Sequence, residues 1–598
     1  MQVQKQKEQE FSFKSYFVPL TTTKAIHWII VIGIIVYANM LFNGFVWDDN
    51  EYIVNNLQVH HISIIDSFGG NYFNIAGQYR PLVDFYFSLL YSAFGTTPFF
   101  YHALQLLLHI ICTVILYLFF RKFTLKEIAL IGAVLFLIHP IQVESVSFIA
   151  QTTSPLFFLF GIIPLLIMTK KKFGEKEFIL IYCFSLLSLF AKETGILFIF
   201  LLLIYALLFA KAQMKKLALV SLFSFVTYLF FRLIVGHIDF SPRSLVPIAV
   251  LSLPERLITM PAIILYYIKT FFYPLILSND QQWTVTSLTF SDFYFPLIID
   301  IAFLIILGIF GIVLYKKNKS VFKAYVFFVS WFILGMGLLL QIFPLELTVA
   351  DRWFYFPFAG LLGIMVVLLQ SSETFWKQHV FLGATVILLV IFSLSIRTII
   401  RNTDWKNNLT LFTNAAKTED NYDIEDNLGD YFFENKNYVE AREHYQLSVF
   451  YRPIEPSMMN LANTDVVLLD IAEAKKNFAL AFHAQSFSIY DFHMHSVSDY
   501  AIYGYLLVLT DSPVKAEQVI QQGLTEYPQS SDLWYLDALV KYKIGNRKKA
   551  LVAAQDSYQL NPSDTTKKLY VNIKNGSTFP IINTTLHQTY IIKPGNVD

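Results

Sequence analysis

The sequence predicts an all-α protein, a polytopic membrane helical domain followed by an α-solenoid of short repeats. Three observations predict it. Of 598 residues, 55% are hydrophobic and only 15% charged, against roughly 25% charged in soluble globular chains. The apolar residues gather into runs long enough to cross a bilayer, which takes about 20 residues. After Arg401 the composition turns polar and a period of about 34 residues begins.

The runs lie at 25–42, 100–120, 128–149, 154–169, 178–191, 195–210, 217–235, 296–315, 322–342, 353–370 and 379–397, about eleven spans. The segment 1–24 is polar and basic, and its lack of a small-residue cleavage site marks the first run as an uncleaved membrane helix. Lys and Arg clusters recur after every second span, at Arg121/Lys122/Lys126, Lys170/Lys171/Lys172/Lys176, Lys211/Lys215/Lys216 and Lys316/Lys317/Lys319/Lys323. By the positive-inside rule these face the cytoplasm. The stretch 256–277 contains Arg256, Pro261, Lys269 and Pro274. It is expected to be re-entrant or to lie on the outer surface. The longest loop, 43–99, and the part after the last span then fall on the non-cytoplasmic side, in a bacterial inner membrane or an ER membrane.

From 403 to 565 the repeats follow the tetratricopeptide (TPR) pattern. Leu428, Gly429, Phe432, Ala441, Tyr445 and Pro453 fit one unit; Ala474 and Phe478 repeat its second-helix signature. Ala516 and Pro528 fit a third unit, and Trp534, Ala550 and Pro562 a fourth. Small alanines let paired helices approach, and stacked pairs build a concave protein-binding surface. The tail 566–598 is expected not to be helical.

A net charge of +1 leaves no basic surplus for a nucleic acid. The two cysteines, Cys112 and Cys183, sit in separate apolar runs, so neither a disulfide framework nor a cysteine metal site is implied. No compact group of His or carboxylates has the spacing of metal ligands. N-x-S/T sequons occur at Asn408, Asn575 and Asn583.

Several ionisable residues fall at span ends on the face of the 43–99 loop. Asp48 and Asp49 follow the first span directly, in FNGFVWDDNEY. Adjacent, partly desolvated acids repel and resist ionisation, which suits one of them to accept a proton; taken alone, however, the pair reads as a solvated loop start or a helix N-cap. Arg80 precedes Pro81. His139 and Glu144 end the third span in LIHPIQVES. Lys192 and Glu193 occupy the turn FAKETG, and Asp351 and Arg352 lie in VADRWFYFP. Each has a bland explanation, such as a snorkelling lysine, a capping glutamate or an Asp351–Arg352 pair. Their shared face makes them a candidate site of acids for proton transfer and cations for a phosphate.

WDDNEY, QYRPLVDF, FFYHALQLLLH, LFLIHPIQVES, LFAKETG and ADRWFYFPFAG, in that order and followed by the repeats, resemble the transmembrane and TPR repeat-containing proteins. Those belong to the GT-C glycosyltransferase superfamily, with the protein O-mannosyltransferases. The resemblance reaches to about Pro562 and implies a GT-C-type domain over 25–402. It implies an inverting enzyme that moves a sugar from a polyprenyl or dolichyl phosphate carrier to an acceptor hydroxyl on protein, with the repeats holding the acceptor. By that resemblance Asp48 or Asp49 is the base, with a slight preference for Asp49. Arg352, Lys192, Arg80 and His139 would meet the donor phosphate, with Glu144, Glu193 and Asp351 in support. The implied donor is a lipid-linked sugar, mannose in the eukaryotic members, and no residue here reads out its identity. Relatives often carry Arg-Asp after the His-Pro-x3-Glu motif where this chain has IAQTTSP, and Glu-Arg where it has Asp351-Arg352.

Two other readings compete. A non-catalytic membrane scaffold explains the repeats but not the one-sided ionisable residues. A transporter would show an internally repeated membrane block with midplane sites, which this sequence lacks.

Overall fold

The computed structural model describes residues 19–69, 77–170, 173–238, 246–483, 495–510 and 512–577, with the side chain of residue 377 excepted. Among these residues every regular element is helical. The chain forms two compact units, Met1–Glu419 and Asp420–Asp598.

The first unit contains α1 (Thr22–Tyr37), α2 (Pro81–Phe94), α3 (Pro98–Phe120), α4 (Lys126–Ile138), α5 (Thr153–Met168), α6 (Glu175–Ala191) and α7 (Ile196–Phe209). It continues with α8 (Met214–Phe230), α9 (Leu253–Phe272), α10 (Phe295–Lys317), α11 (Lys319–Leu339), α12 (Tyr355–Ser371), α13 (Val380–Asp404) and α14 (Asn408–Ala416). Eight helices among the described residues are long and apolar enough to cross a membrane. α4 together with Pro140–Ser147 is also long and apolar enough, as a pair bent by 51°. The bend falls at Pro140, which has no N–H for the ladder. The two remaining expected spans are the shorter helices α6 and α7, of 17 and 14 residues. The chain is a multi-pass membrane protein.

Lipid explains the exterior of this unit. Ile298, Leu304, Ile305 and Ile309 on α10, and Phe381, Leu388 and Phe392 on α13, are exposed, which costs little where the solvent is hydrocarbon. Side chains bonding across spans fix the two ends of the bundle. At one end Arg121 Nη1 donates to Thr22 Oγ1 at 2.6 Å and Lys317 Nζ to the Ser371 carbonyl at 2.6 Å. Two of the basic clusters therefore share that end. At the other, Asn39 Nδ2 donates to the Ile399 carbonyl, Thr398 Oγ1 to that of Ile138, and Ser147 Oγ to Asn402 Oδ1.

The segment expected to be re-entrant or surface-lying is one unbroken helix, α9, laid across that second end. Arg256 donates to the Gln341 and Ile342 carbonyls beyond α11, and Tyr267 to the Ala350 carbonyl before α12. The Phe271 carbonyl meets His139 beyond α4, and Arg397 of α13 donates to the Leu275 carbonyl.

The division between units falls at Glu419/Asp420, later than the 402/403 boundary expected from composition. The reason is α14, whose Phe412 packs edge-on against Trp47.

The second unit is built of antiparallel helix pairs: α15 (Tyr422–Glu434) with α16 (Tyr438–Tyr451), α17 (Glu455–Val467) with α18 (Ile471–His483), α19 (Val497–Leu509) with α20 (Pro513–Glu526), and α21 (Ser531–Lys543) with α22 (Arg547–Leu560). Ala441, Ala474, Ala516 and Ala550 are fully buried, each near the start of the second helix of its pair. Gly429 is needed where it stands, because a Cβ there would meet the Tyr445 ring at 2.5 Å. α16, α20 and α22 each stop two residues before Pro453, Pro528 and Pro562, as the ring's clash with a preceding carbonyl requires. The expectation of a non-helical tail from 566 is corrected. A further helix, α23 (Asp564–Asn575), is capped by Ser563 and ends on Gly576 at φ 68°, and Leu569 and Ile573 bury its apolar face. The rest of the tail, with Asn583, lies outside the described residues.

Candidate active site

The turn after the first span presents its two carboxylates to different surroundings. Trp47 sits at φ 51°, a conformation that a bulky residue adopts only when its neighbours impose it. Its N–H donates to Asn408 Oδ1 at 2.8 Å, and its ring stacks on Phe148 at 5.3 Å. Asp49 is fully buried. Its Oδ2 accepts from the Val46 amide at 3.1 Å and its Oδ1 from the Ala150 amide at 2.6 Å. Burial holds the Asp49 carboxyl well above the usual range, against the lowering effect of those amides. Asp48 is only half-buried. It opens a helical turn running to Val54 and acts electrostatically on Tyr52, one turn on.

Arg80, Lys192 and Arg352 arrive from three separate places. Arg80 precedes α2, whose first residue is Pro81. Its Nε lies 3.2 Å from Glu193 Oε2, while Glu193 Oε1 accepts from the Tyr79 amide at 2.8 Å. Arg232 of the eighth-helix segment shares this carboxylate at 3.3 Å. Lys192 ends α6 in extended backbone. The turn that follows is tight enough that a Cβ on Gly195 would meet the Ser188 carbonyl carbon at 2.6 Å. Lys192 Nζ donates to Ser154 Oγ at 3.3 Å and lies over the Phe157 ring. Burial, then the neighbouring Arg80 and Arg352, bring its ammonium down to about 7.

Arg352 is the most enclosed cation of the three. Its Nη1 pairs with Glu144, and its backbone N–H donates to Glu144 Oε2 at 2.9 Å. Its Nη2 lies 3.0 Å from Glu346 Oε1. The guanidinium carbon sits 5.5 Å from the Trp47 ring centre and 5.7 Å from that of Trp353, within cation–π range. The His-Pro-x3-Glu spacing explains the Glu144 contact, since the bend at Pro140 turns the next helical stretch back toward the start of α12. Burial would raise the Glu346 carboxyl, but Arg352, Arg80 and Lys192 outweigh it and hold it below the usual range.

Asp48, Arg80, Lys192, Arg352, Glu144 and Glu193 thus belong to one electrostatic cluster at the end of the bundle crossed by α9. Tyr52 joins them, subject to Asp48, Arg80, Glu346 and Arg352 together. Two sequence-derived residues are engaged differently. His139 has both ring nitrogens on backbone: Nδ1 accepts from the Ile141 amide at 3.3 Å, and Nε2 bonds the Phe271 carbonyl at 3.1 Å. Asp351 accepts from Tyr266 Oη at 2.7 Å, and the carboxylates on Arg352 are Glu144 and Glu346. Asp49 has each carboxylate oxygen on a backbone amide, which makes it a brace of the turn, whereas Asp48 acts on Tyr52, which Arg80 and Arg352 also reach.

Glu346, Arg232, Tyr52 and Tyr266 escape a sequence reading. Arg232 does carry a signal, a lone arginine ending an apolar run; Glu346 lies in PLELTVADR without any motif spacing. Among the described residues no group of three His, Cys, Asp or Glu is placed to hold a metal ion. The cluster can hold an anion against three cations while a carboxylate beside it accepts a proton.

No family model matches the chain. It is 23% identical over 504 residues to protein O-mannosyl-transferase TMTC3 of Homo sapiens, covering 76% of this chain and 54% of that protein. It is 24% identical over 450 residues to protein O-mannosyl-transferase F38B6.6 of Caenorhabditis elegans, covering 70% and 61%. Over 125 residues it is 30% identical to protein O-mannosyl-transferase Tmtc1 of Drosophila melanogaster, covering 19% and 15%. The chain spans about half the length of the curated relatives it matches over most of its own. The relatives that this chain resembles over most of its length are thus named protein O-mannosyl-transferases.

Proposed function

We propose that this chain is a membrane glycosyltransferase that moves mannose from a polyprenyl-phosphate carrier to a hydroxyl group on a protein. The reading rests on one observation, the convergence of Arg80, Lys192 and Arg352 around Glu346, with Asp48 linked to the group through Tyr52. Asp48 takes the proton of the acceptor hydroxyl as that oxygen attacks the anomeric carbon. The bond from that carbon to the phosphate oxygen breaks, and the phosphate departs with the electron pair and remains on the lipid. Attack opposite the leaving group inverts the anomeric centre. Charge grows on the phosphate as the bond breaks, and pre-placed cations stabilise it without reorganising. Arg352 is the first such group because Glu144 and two indoles already fix its plane.

In this reading the site faces the non-cytoplasmic side, opposite the end that carries Arg121 and Lys317, and the helical repeats hold the protein acceptor. The test is transfer from polyprenyl-phosphate mannose by the purified chain in nanodiscs, together with mass spectrometry of outer-face proteins from cells with and without it. Loss of hexose from a defined set of serines or threonines is expected. An unchanged glycoproteome, with no transfer in vitro, would leave the chain a membrane scaffold.

A further inference from the structure

Arg352 is held by two carboxylates of unlike character. Glu144 is fully enclosed and also accepts the Arg352 backbone N–H. Glu346 has a side chain 48% exposed and accepts a hydrogen bond from Arg352 Nη2. It is nevertheless within electrostatic reach of Arg80 and Lys192 as well as Arg352. One solvent-accessible carboxylate therefore faces all three cations, each of which has a further partner of its own in Glu193, Ser154 or Glu144.

The loop carrying Glu346 is pinned on either side of it. Gln341 Nε2 donates to the Leu347 and Thr348 carbonyls at 2.7 and 3.0 Å, and Gln341 Oε1 accepts from the Leu345 amide at 2.9 Å. The Thr348 amide donates in turn to the Gln281 carbonyl. The backbone is fixed while the side chain is open to solvent, so the carboxylate can leave by rotating its own torsions without opening the loop.

We infer that Glu346 is a displaceable counter-ion that occupies the place of the donor's phosphate group and gives it up when that group binds. The inference rests on the transferase reading above and assigns Glu346 as a positioning residue. Three like charges gathered in a partly desolvated pocket repel one another unless an anion accompanies them. The tethered carboxylate keeps them together in the empty site, and it shares with a phosphate the oxygens that a guanidinium prefers. It must also compete with the ligand. A ligand that binds only the open form has its apparent affinity reduced by the open fraction, about tenfold if one molecule in ten is open.

Trp47 and Trp353 flank Arg352, so their fluorescence reports on the site. The full chain in nanodiscs is titrated with dimethyl phosphate, a phosphate diester without lipid or sugar, and transfer is measured separately. Glu346→Gln and Glu346→Ala are both expected to bind the probe more tightly, by about tenfold, whereas Arg352→Ala weakens it. A structural clamp gives the opposite sign. If both Glu346 variants bind the probe as the parent does or more weakly, while Arg352→Ala still weakens it, the inference is wrong and the anion site stands. If Arg352→Ala leaves probe binding unchanged, there is no anion site and both readings fall. If the probe responds as expected and no sugar is transferred, Glu346 stands as the displaceable counter-ion of an anion site, and the transferase reading, with the donor's phosphate as that anion, falls.

Discussion

Asp49 and Ala150 are joined by a hydrogen bond of 2.6 Å, from the Ala150 amide to Asp49 Oδ1. It ties the turn after the first span to the stretch leading into α5, at the place where this chain reads IAQTTSP. With Val46 on the other oxygen, Asp49 has become part of the framework.

The two adjacent aspartates should therefore fail differently when changed to asparagine. Asp48→Asn should cut sugar transfer by about 10²–10⁴-fold, the usual worth of a general base, while thermal unfolding and dimethyl phosphate binding stay near the parent. Asp49→Asn puts an NH₂ group against a backbone N–H. It should lower stability by about 1–3 kcal/mol, the cost of a buried unsatisfied group, and reduce activity only as folded protein is lost. Parent-rate transfer by Asp48→Asn would remove it as the base.

Lys192 should give anion binding a pH dependence. Its ammonium titrates at about 7, so the charged form predominates below that value and disappears above it. Dimethyl phosphate affinity should fall as pH rises through 7, with bound anion moving the midpoint upward because it favours the charged lysine. Lys192→Arg keeps its charge across this range and should flatten that fall. A parent profile that is already flat between pH 6 and 9 would exclude Lys192 from the site.

Much of this site was legible in the sequence, in one respect. Lys192, Glu193 and Arg352 stand at span ends and Arg80 in the loop between the first two spans, and alternation of the spans alone places such residues on one face. Their partners were not legible. Glu346 is a loop residue whose position is set by Gln341 acting on the backbone around it, and Glu193 looks like a cap until Arg80 and Arg232 arrive from elsewhere in the chain. His139 has the right face, but its nitrogens are taken by carbonyl and amide groups that no local pattern reveals. In the second unit the reading went further because its contacts are local. Ala441, Gly429 and Tyr445 lie within one helix pair, so their spacing already states what touches.

Glu144 should matter more for assembly than for turnover. Glu144→Ala leaves the buried Arg352 without its main partner, and breaking such a pair costs about 3–5 kcal/mol. A large fall in unfolding temperature is expected, with Glu144→Gln intermediate because its amide oxygen can still accept the Arg352 N–H. If Glu144→Ala unfolds like the parent, Glu346 alone suffices to hold the guanidinium.

Substitution in the helical repeats should change which proteins are modified without changing the chemistry. Gly429→Val collides with Tyr445 and should disrupt the first helix pair. Transfer to a small free acceptor is expected to persist while transfer to protein falls, as read by mass spectrometry. Equal loss of both would make the second unit a folding support.

The turn that carries Asp48 is closed by residues translated long after it. Trp47 bonds to Asn408 across 361 residues, Asn43 to the Asn402 carbonyl across 359, and Gly44 to the carbonyl of Lys406. Contacts of such sequence separation form late. While the ribosome is still making the middle of the protein, the first loop lacks this clasp, and the Trp47 amide lacks its partner Asn408. The turn that carries Asp48 therefore reaches its folded form only when the last span and the residues just after it have been made. Stopping translation at residue 400 should yield a membrane-inserted product whose first loop is cut readily by protease, and extending it to 419 should restore resistance.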